Sequence, residues 1–328
     1  MNVWKLSAGT ACVIGKKKMK AKDLPTTAYI MLGEKCKNHC RFCAQSQEST
    51  ARTNLLSRIT WPSVACEEAV QGIASEHQAG RIKRACLQIV DSEHSWGETM
   101  QALDALHHHS KIPICVSSHL DTVEQAKELV ENGAQRICIA LDAATPEVYE
   151  KVKTGDWSAK WNLLCACAKA LPGRVTTHLI VGLGETEQEM TERILRCIER
   201  GICVGLFAFT PIRGTALADA LPPTIGQYRR IQIAHAILKH GDKQDRIVYQ
   251  NGRITAFQLP IAKLLQVLKN GQAFQTSGCA DCNRPYYNER PGGVLYNYPR
   301  PLTQTEVEQA IAESEIVRGE AYEVARHT

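Results

Sequence analysis

Residues 27–45 read TAYIMLGEKCKNHCRFCAQ. The first six residues have the composition of a strand. Gly33 ends it. Cys36, Cys40 and Cys43 follow within eight residues, and Phe42 stands beside the last of them. Thiols this close hold a metal centre, form a disulfide or serve only as packing. The rest of the chain has to decide.

Outward from this stretch, β-rich runs alternate with helical ones. Strands are predicted at 27–32, 85–90, 113–118, 136–142, 175–182, 204–210 and 246–250, and helices over roughly 62–78, 97–109, 121–132, 158–171, 186–199, 224–239 and 260–269. Asp121 is offered as a helix cap and Gly133 as a stop. Alternation of this kind means parallel strands with crossover helices. Seven units in series favour an α/β fold of the TIM-type (β/α) barrel, full or partial, over a doubly wound sheet. The reading divides the chain into an N-terminal extension (1–26), a barrel (27–270) and a C-terminal extension (271–328), with both extensions over the barrel mouth. Residues 276–301 are rich in Gly, Pro, Asn, Arg and Tyr without periodicity, as in a functional or disordered loop.

The balance of 44% hydrophobic and 22% charged residues in 328 is that of an ordinary folded protein, so the core needs no staples. No run of 18 apolar residues predicts a membrane span. The basic start GKKKMKAKD lacks the apolar core of a secretory signal. A cytoplasmic location is expected, where clustered cysteines are more often metal ligands than disulfides. A net charge of +5 permits an acidic partner; neither nucleic acid nor membrane is indicated. Of the fourteen cysteines, Cys66, Cys138, Cys165, Cys167, Cys197 and Cys203 sit in apolar surroundings and read as small buried hydrophobes.

Active sites of such barrels lie at the C-terminal ends of the strands. The three thiols therefore fall at the mouth. Three thiolates can bind three corners of a cubane iron–sulfur cluster and leave one iron open. His39, between two ligands, is expected to face solvent. The spacing C-x3-C-x2-C with an aromatic before the last cysteine resembles the signature of the radical S-adenosylmethionine superfamily. The resemblance implies a [4Fe–4S] cluster whose open iron chelates S-adenosylmethionine, an external electron donor, and a 5′-deoxyadenosyl radical that takes hydrogen from unactivated carbon.

Further segments resemble biotin synthase and its relatives. HLIVGLGETEQE (178–189) resembles their fifth-strand motif, which implies cofactor binding at Ile180, Gly182 and Glu185. IALDAATPEVYEKV (139–152) implies that Asp142 holds ribose hydroxyls; a helix cap is the other reading of that residue. FTPIRGTALADA (209–220) places Phe209 near the adenine, as is implied for Phe42. Ser92 and Glu93, with Asp91, follow the second strand, where the family binds the methionine amino group. Biotin synthase also holds a two-iron cluster on three strand cysteines and an arginine. Cys86 and Cys115 fall near two of those positions, but Thr176 and Tyr249 stand at the others. Packing is the preferred reading of the two cysteines, and biotin synthase is disfavoured.

QTSGCADCNRPYYNERPGG (275–293) contains the pair Cys279 and Cys282. With Cys12 these could share a second [4Fe–4S] cluster; half of a zinc site is the alternative for the pair. Ser277 reads as an oxygen ligand or a turn residue. This tail resembles the biotin-synthase-like subunits of split, two-protein lipoyl synthases. That implies sulfur insertion at C6 and C8 of an octanoyl chain on a carrier-protein lysine, alongside a second radical subunit. Arg284, Tyr286, Tyr287 and Arg290 would line that site or a partner surface, with exposed tail packing as the other reading. A radical mutase or lyase without sulfur chemistry, or a biotin-synthase-like sulfurtransferase, is the competing activity. A non-enzymatic scaffold would have no need of the adenine- and ribose-like segments.

Overall fold

The structure, a computed structural model, describes residues 3–241, 244–289 and 292–316. Its first half runs β1 (Val3–Leu6), α1 (Ala8–Val13), β2 (Thr27–Leu32), β3 (Leu55–Leu56), β4 (Ile59–Thr60), β5 (Ser63–Ala65), α2 (Cys66–Gln78), β6 (Arg84–Ile89), α3 (Ser95–His109), β7 (Ile114–Ser117) and α4 (Val123–Glu131). Then follow β8 (Ala134–Cys138), α5 (Pro146–Val152), α6 (Trp157–Ala170), β9 (Val175–Val181), α7 (Glu187–Ile198), β10 (Cys203–Ala208), α8 (Ile225–Lys239), β11 (Ile247–Gln250), β12 (Arg253–Phe257), α9 (Ile261–Leu268) and α10 (Gln304–Glu313).

All six residues of β2 are buried. It lies inside the sheet, parallel to β6 and antiparallel to β1. Six strands, β2, β6, β7, β8, β9 and β10, run parallel in that order, and β1 and β5 extend the sheet beyond β2. Helices join the parallel strands, as a parallel sheet requires. The result is a partial barrel of the kind the alternation predicts. The seventh predicted strand is not part of it. β11 pairs antiparallel with β12 in a separate hairpin. Asn251 (φ 51°) and Gly252 (φ 77°) form its tip, and this dipeptide favours the left-handed tight turn that matches strand twist.

An open sheet leaves an edge with unpaired backbone groups. The C-terminal tail covers it at β10. The Leu206 N–H donates to Ser277 Oγ (2.8 Å), and the Asn288 side-chain amide pairs with Ala208, donating to its carbonyl at 2.7 Å and accepting from its N–H at 3.4 Å. Lower down, the Asp281 carbonyl accepts from the hydroxyls of Thr26 (2.7 Å) and Thr27 (3.3 Å), and Asn283 accepts from the Thr26 N–H. The tail therefore enters at the start of the strands, opposite the Cys36–Cys43 loop, and climbs the β10 edge. Helix α1 also lies toward that end, where Thr10 Oγ1 accepts from the Tyr29 N–H. Helix α1 and residues 281–283 lie at the strand starts, which offer unpaired donors and acceptors, while Tyr287 and Asn288 carry the tail to the mouth end, bonding Ser57, Ala208 and Thr210. Arg290 and residues 317–328 lie outside the described residues.

One buried ion pair ties the later elements together. Arg230 of α8 donates to both carboxylate oxygens of Glu187 at the start of α7 (2.5–3.1 Å), and Glu187 also accepts from the Ile254 N–H of β12. Both side chains are nearly inaccessible. Removing one partner leaves a buried charge alone, which costs about 3–5 kcal/mol. Arg230→Met should therefore lower the urea midpoint sharply, with the denaturant slope unchanged.

Candidate active site

The first loop is built by its own backbone. Gly33 has φ +91°, and a Cβ there would stand 2.4 Å from the Val90 carbonyl, so only glycine turns the chain out of β2 here. The Cys36 N–H donates to the Gln45 carbonyl (3.1 Å), the Gln47 N–H to the Asn38 carbonyl (2.8 Å) and the Lys37 N–H to the Asp91 carbonyl (2.9 Å). The Asn38 amide bridges Asp91 (2.8 Å) and Cys36 Sγ (3.5 Å). The Gln45 N–H reaches Cys43 Sγ at 3.4 Å. Burial pushes the Cys43 thiol up to about 12, and its neighbours Cys40 and Cys36 add to the rise. Burial likewise raises Cys40, partly offset by Lys153. Three thiolates so placed repel one another unless positive charge stands among them. N–H donors aimed at sulfur and mutually close thiols fit an iron–sulfur cluster. His39 is exposed beside Glu48, as expected of a residue between ligands.

The loop faces a cavity inside the barrel, lined along the strands. Phe42, Cys43, Asp142, Ile180 and Phe209 line it, five of the residues predicted for the radical cluster and its cofactor, whereas Cys36 and Cys40 do not. Asp142 has φ +64° and forms an ion pair with Lys153 at 2.6 Å. The cap of α5 is Thr145, not Asp142. Burial lowers Lys153, but the charges of Asp142 and Cys40 outweigh it and raise it above the usual range. His178 also lines the cavity; burial and then Arg284 hold it down at about 4, so it is neutral.

Other predicted residues stand elsewhere. Ser92 accepts from the Glu34 N–H (3.4 Å) and Glu93 is exposed; neither lines the cavity. The glycine of the fifth-strand motif is explained by its neighbours: Gly182 has φ +98°, and a Cβ would meet Pro223 at 2.8 Å. The Gly182 and Leu183 N–H groups donate to the Glu185 carboxylate (2.7 and 3.0 Å), so Glu185 braces that turn. Burial raises Glu185 to about 7 despite these donors.

The second thiol set differs from the predicted one. Cys279 and Cys282 line the cavity together with Cys86, Cys115 and Cys138, whereas Cys12 on α1 does not. Cys115 Sγ lies 3.4 Å from Cys279 Sγ. The hydrogen bond from Cys115 and the charges of Arg84, Arg136 and Arg284 hold Cys279 down at about 6 against its burial, while Cys115 is raised. Ser277 is bonded to the β10 edge and is not presented to the thiols. Among the described residues, no three His, Cys, Asp or Glu side chains close around a single metal ion. The sequence reading took Cys86 and Cys115 as packing. A signal was present in the polar or thiol residues at alternate strand positions, Cys86 and Gln88, Cys115 and Ser117, Thr176 and His178. All six face the cavity, because side chains two apart share one face. Tyr249, in the separate hairpin, instead bonds Thr191 of α7.

Comparison with known proteins agrees with this architecture. A protein of Methanocaldococcus jannaschii, MJ0785, is 24% identical over 194 residues, covering 57% of this chain and 48% of that protein. The chain thus spans about half the length of the curated relative it matches. Among solved structures, the FeFe-hydrogenase maturase HydG from Carboxydothermus hydrogenoformans superposes with a TM-score of 0.52 at 14% identity, over 90% of this chain and 68% of that one. Methylornithine synthase (PylB) gives 0.50 at 14%, over 87% and 85%. These likenesses concern the fold. Among the described residues no helix is long and apolar enough to cross a membrane. The model of the radical SAM superfamily matches residues 30–197, more than half of the chain and the whole of the thiol loop. The chain belongs to the radical SAM superfamily.

Proposed function

We propose that this radical SAM enzyme inserts sulfur at unactivated C–H bonds of an octanoyl chain carried on a protein lysine, as one subunit of a two-protein lipoyl synthase. Membership of the superfamily implies a [4Fe–4S] cluster and S-adenosylmethionine, which together supply a radical able to take hydrogen from an unactivated carbon. Cys36, Cys40 and Cys43 would hold that cluster. Phe42, Ile180 and Phe209 would flank the adenosyl group, and Asp142, paired with Lys153 at 2.6 Å, would accept from hydroxyls.

The observation that carries the sulfur reading is the second thiol set in the same cavity. A second thiol set beside a radical site is the arrangement that sulfur insertion calls for. Leu56, Phe207 and Ile212 complete an apolar lining suited to an acyl chain. An external electron donor and a second radical subunit belong to this reading. The test is an anaerobic assay with reductant, S-adenosylmethionine and an octanoylated carrier peptide, with and without the candidate second subunit. A thiolated octanoyl peptide is expected. Cofactor cleavage with the peptide unchanged in every combination would count against the assignment.

A further inference from the structure

We propose that Cys86, Cys115, Cys279 and Cys282 are the four protein ligands of a second iron–sulfur cluster. The inference rests on the sulfur-insertion reading and deepens it by naming where inorganic sulfide is held; its test reads iron rather than product.

Cys86 and Cys115 are directly opposed in the parallel ladder between β6 and β7, so their side chains leave the sheet side by side on the cavity face. Cys279 and Cys282 come from the tail. A turn from the Cys282 N–H to the Cys279 carbonyl (3.2 Å) sets their spacing. The tail loop is held on several sides. Thr276 Oγ1 donates to the Asn283 carbonyl (2.7 Å), Asn283 Nδ2 donates to the Leu24 carbonyl (3.0 Å), and the Arg284 N–H donates to Tyr29 Oη (2.9 Å). Gly278 (φ +110°) lies against Gly205 of β10, where side chains would hold the loop away. Two thiols from the sheet and two from the tail thus meet at one place. Cys115 and Cys279 are 3.4 Å apart and unbonded.

The surroundings are those of anionic sulfur. Arg84 Nη1 donates to Cys115 Sγ at 2.6 Å, Gln88 Nε2 to Cys86 Sγ at 2.9 Å, and Tyr29 Oη lies 3.3 Å from Cys282 Sγ. Packing cysteines need no such donors; thiolates bound to metal are routinely given them. Tyr287 is 6% exposed and lines the same cavity, and its hydroxyl has no partner. An unpartnered buried hydroxyl is costly, so one that persists beside thiols points to an acceptor supplied by a bound group. Four cysteines are the usual ligand set of both two-iron and four-iron clusters. Cys138 is one step further along β8, paired with Ser117, and is not opposed to Cys115.

The test uses the full chain, reconstituted anaerobically with iron and sulfide. In the Cys36→Ala/Cys40→Ala/Cys43→Ala variant, about two or four irons per chain with matching sulfide should remain, and Mössbauer spectra should show a thiolate-ligated cluster. Adding Cys279→Ala and Cys282→Ala should bring iron to zero. Cys86→Ser and Cys115→Ser should each lower it or change the spectrum. Cys12→Ala should leave it unchanged. Should the triple variant fail to fold, wild-type protein serves: it should bind more than four irons, in two spectral populations of which S-adenosylmethionine perturbs one. A folded triple variant without iron, a wild type saturating at four, or iron insensitive to Cys86 and Cys115 would overturn the proposal. S-adenosylmethionine cleavage by wild type and the octanoyl-peptide assay are unaffected by such a result, so the two readings fail separately.

Discussion

Cys40→Ala should reduce reductive cleavage of S-adenosylmethionine to the level of a reaction without enzyme, and Cys36→Ala and Cys43→Ala should do the same. The reason is ligand number. A cluster that must keep one iron open for the cofactor has only three protein thiolates, and losing one leaves a second corner unheld. Folding should survive, because backbone bonds hold the loop when its contacts to sulfur are lost. Its bonds run from the Cys36 N–H to Gln45, from Gln47 to Asn38 and from Lys37 to Asp91, all backbone to backbone. The measurement pairs 5′-deoxyadenosine formation by chromatography with circular dichroism. An unchanged spectrum and lost cleavage are expected. A variant that cleaves at the wild-type rate would remove the loop from the chemistry.

Cys282→Ala should separate cleavage from product. The second thiol set is assembled from the strand starts and the tail, whereas the radical loop follows the end of β2. The tail stays pinned by Thr26, Asn283 and Arg284 when the thiol is removed. Changes at sites that share no partners act nearly independently. Cleavage is therefore expected within about threefold of wild type, while thiolated octanoyl peptide falls to background. Both are read from one anaerobic reaction by mass spectrometry. Persistent thiolated product would show that the sulfur does not depend on this cysteine pair.

Local sequence carried a good deal of this. Six strand–helix units are legible because hydrophobic period and β-branching are local properties, and the parallel sheet follows from their order. The seventh failed for a stated reason: RIVYQ has a strand's composition, but composition does not name a partner, and the Asn251–Gly252 turn folded it onto its own neighbour. The first thiol loop was legible because its three cysteines lie close together in the chain.

The second set was only half legible. The pair Cys279 and Cys282 is local and stands out in the sequence. Cys86 and Cys115 were read as packing because, in one strand, a thiol facing a site and a thiol facing a core occupy the same alternation. Cys12 was offered in their place because it stood unexplained in the sequence. What decided between them is the register that sets Cys86 opposite Cys115, together with the tail bonds that bring Cys279 to Cys115 across 164 residues. The sequence by itself determined the superfamily's thiol loop and the barrel that presents it, since both are written in short-range spacing. Which cysteines meet at the other end was settled by tertiary structure, because strand register and the seating of a tail on an open edge are long-range pairings that no local pattern records.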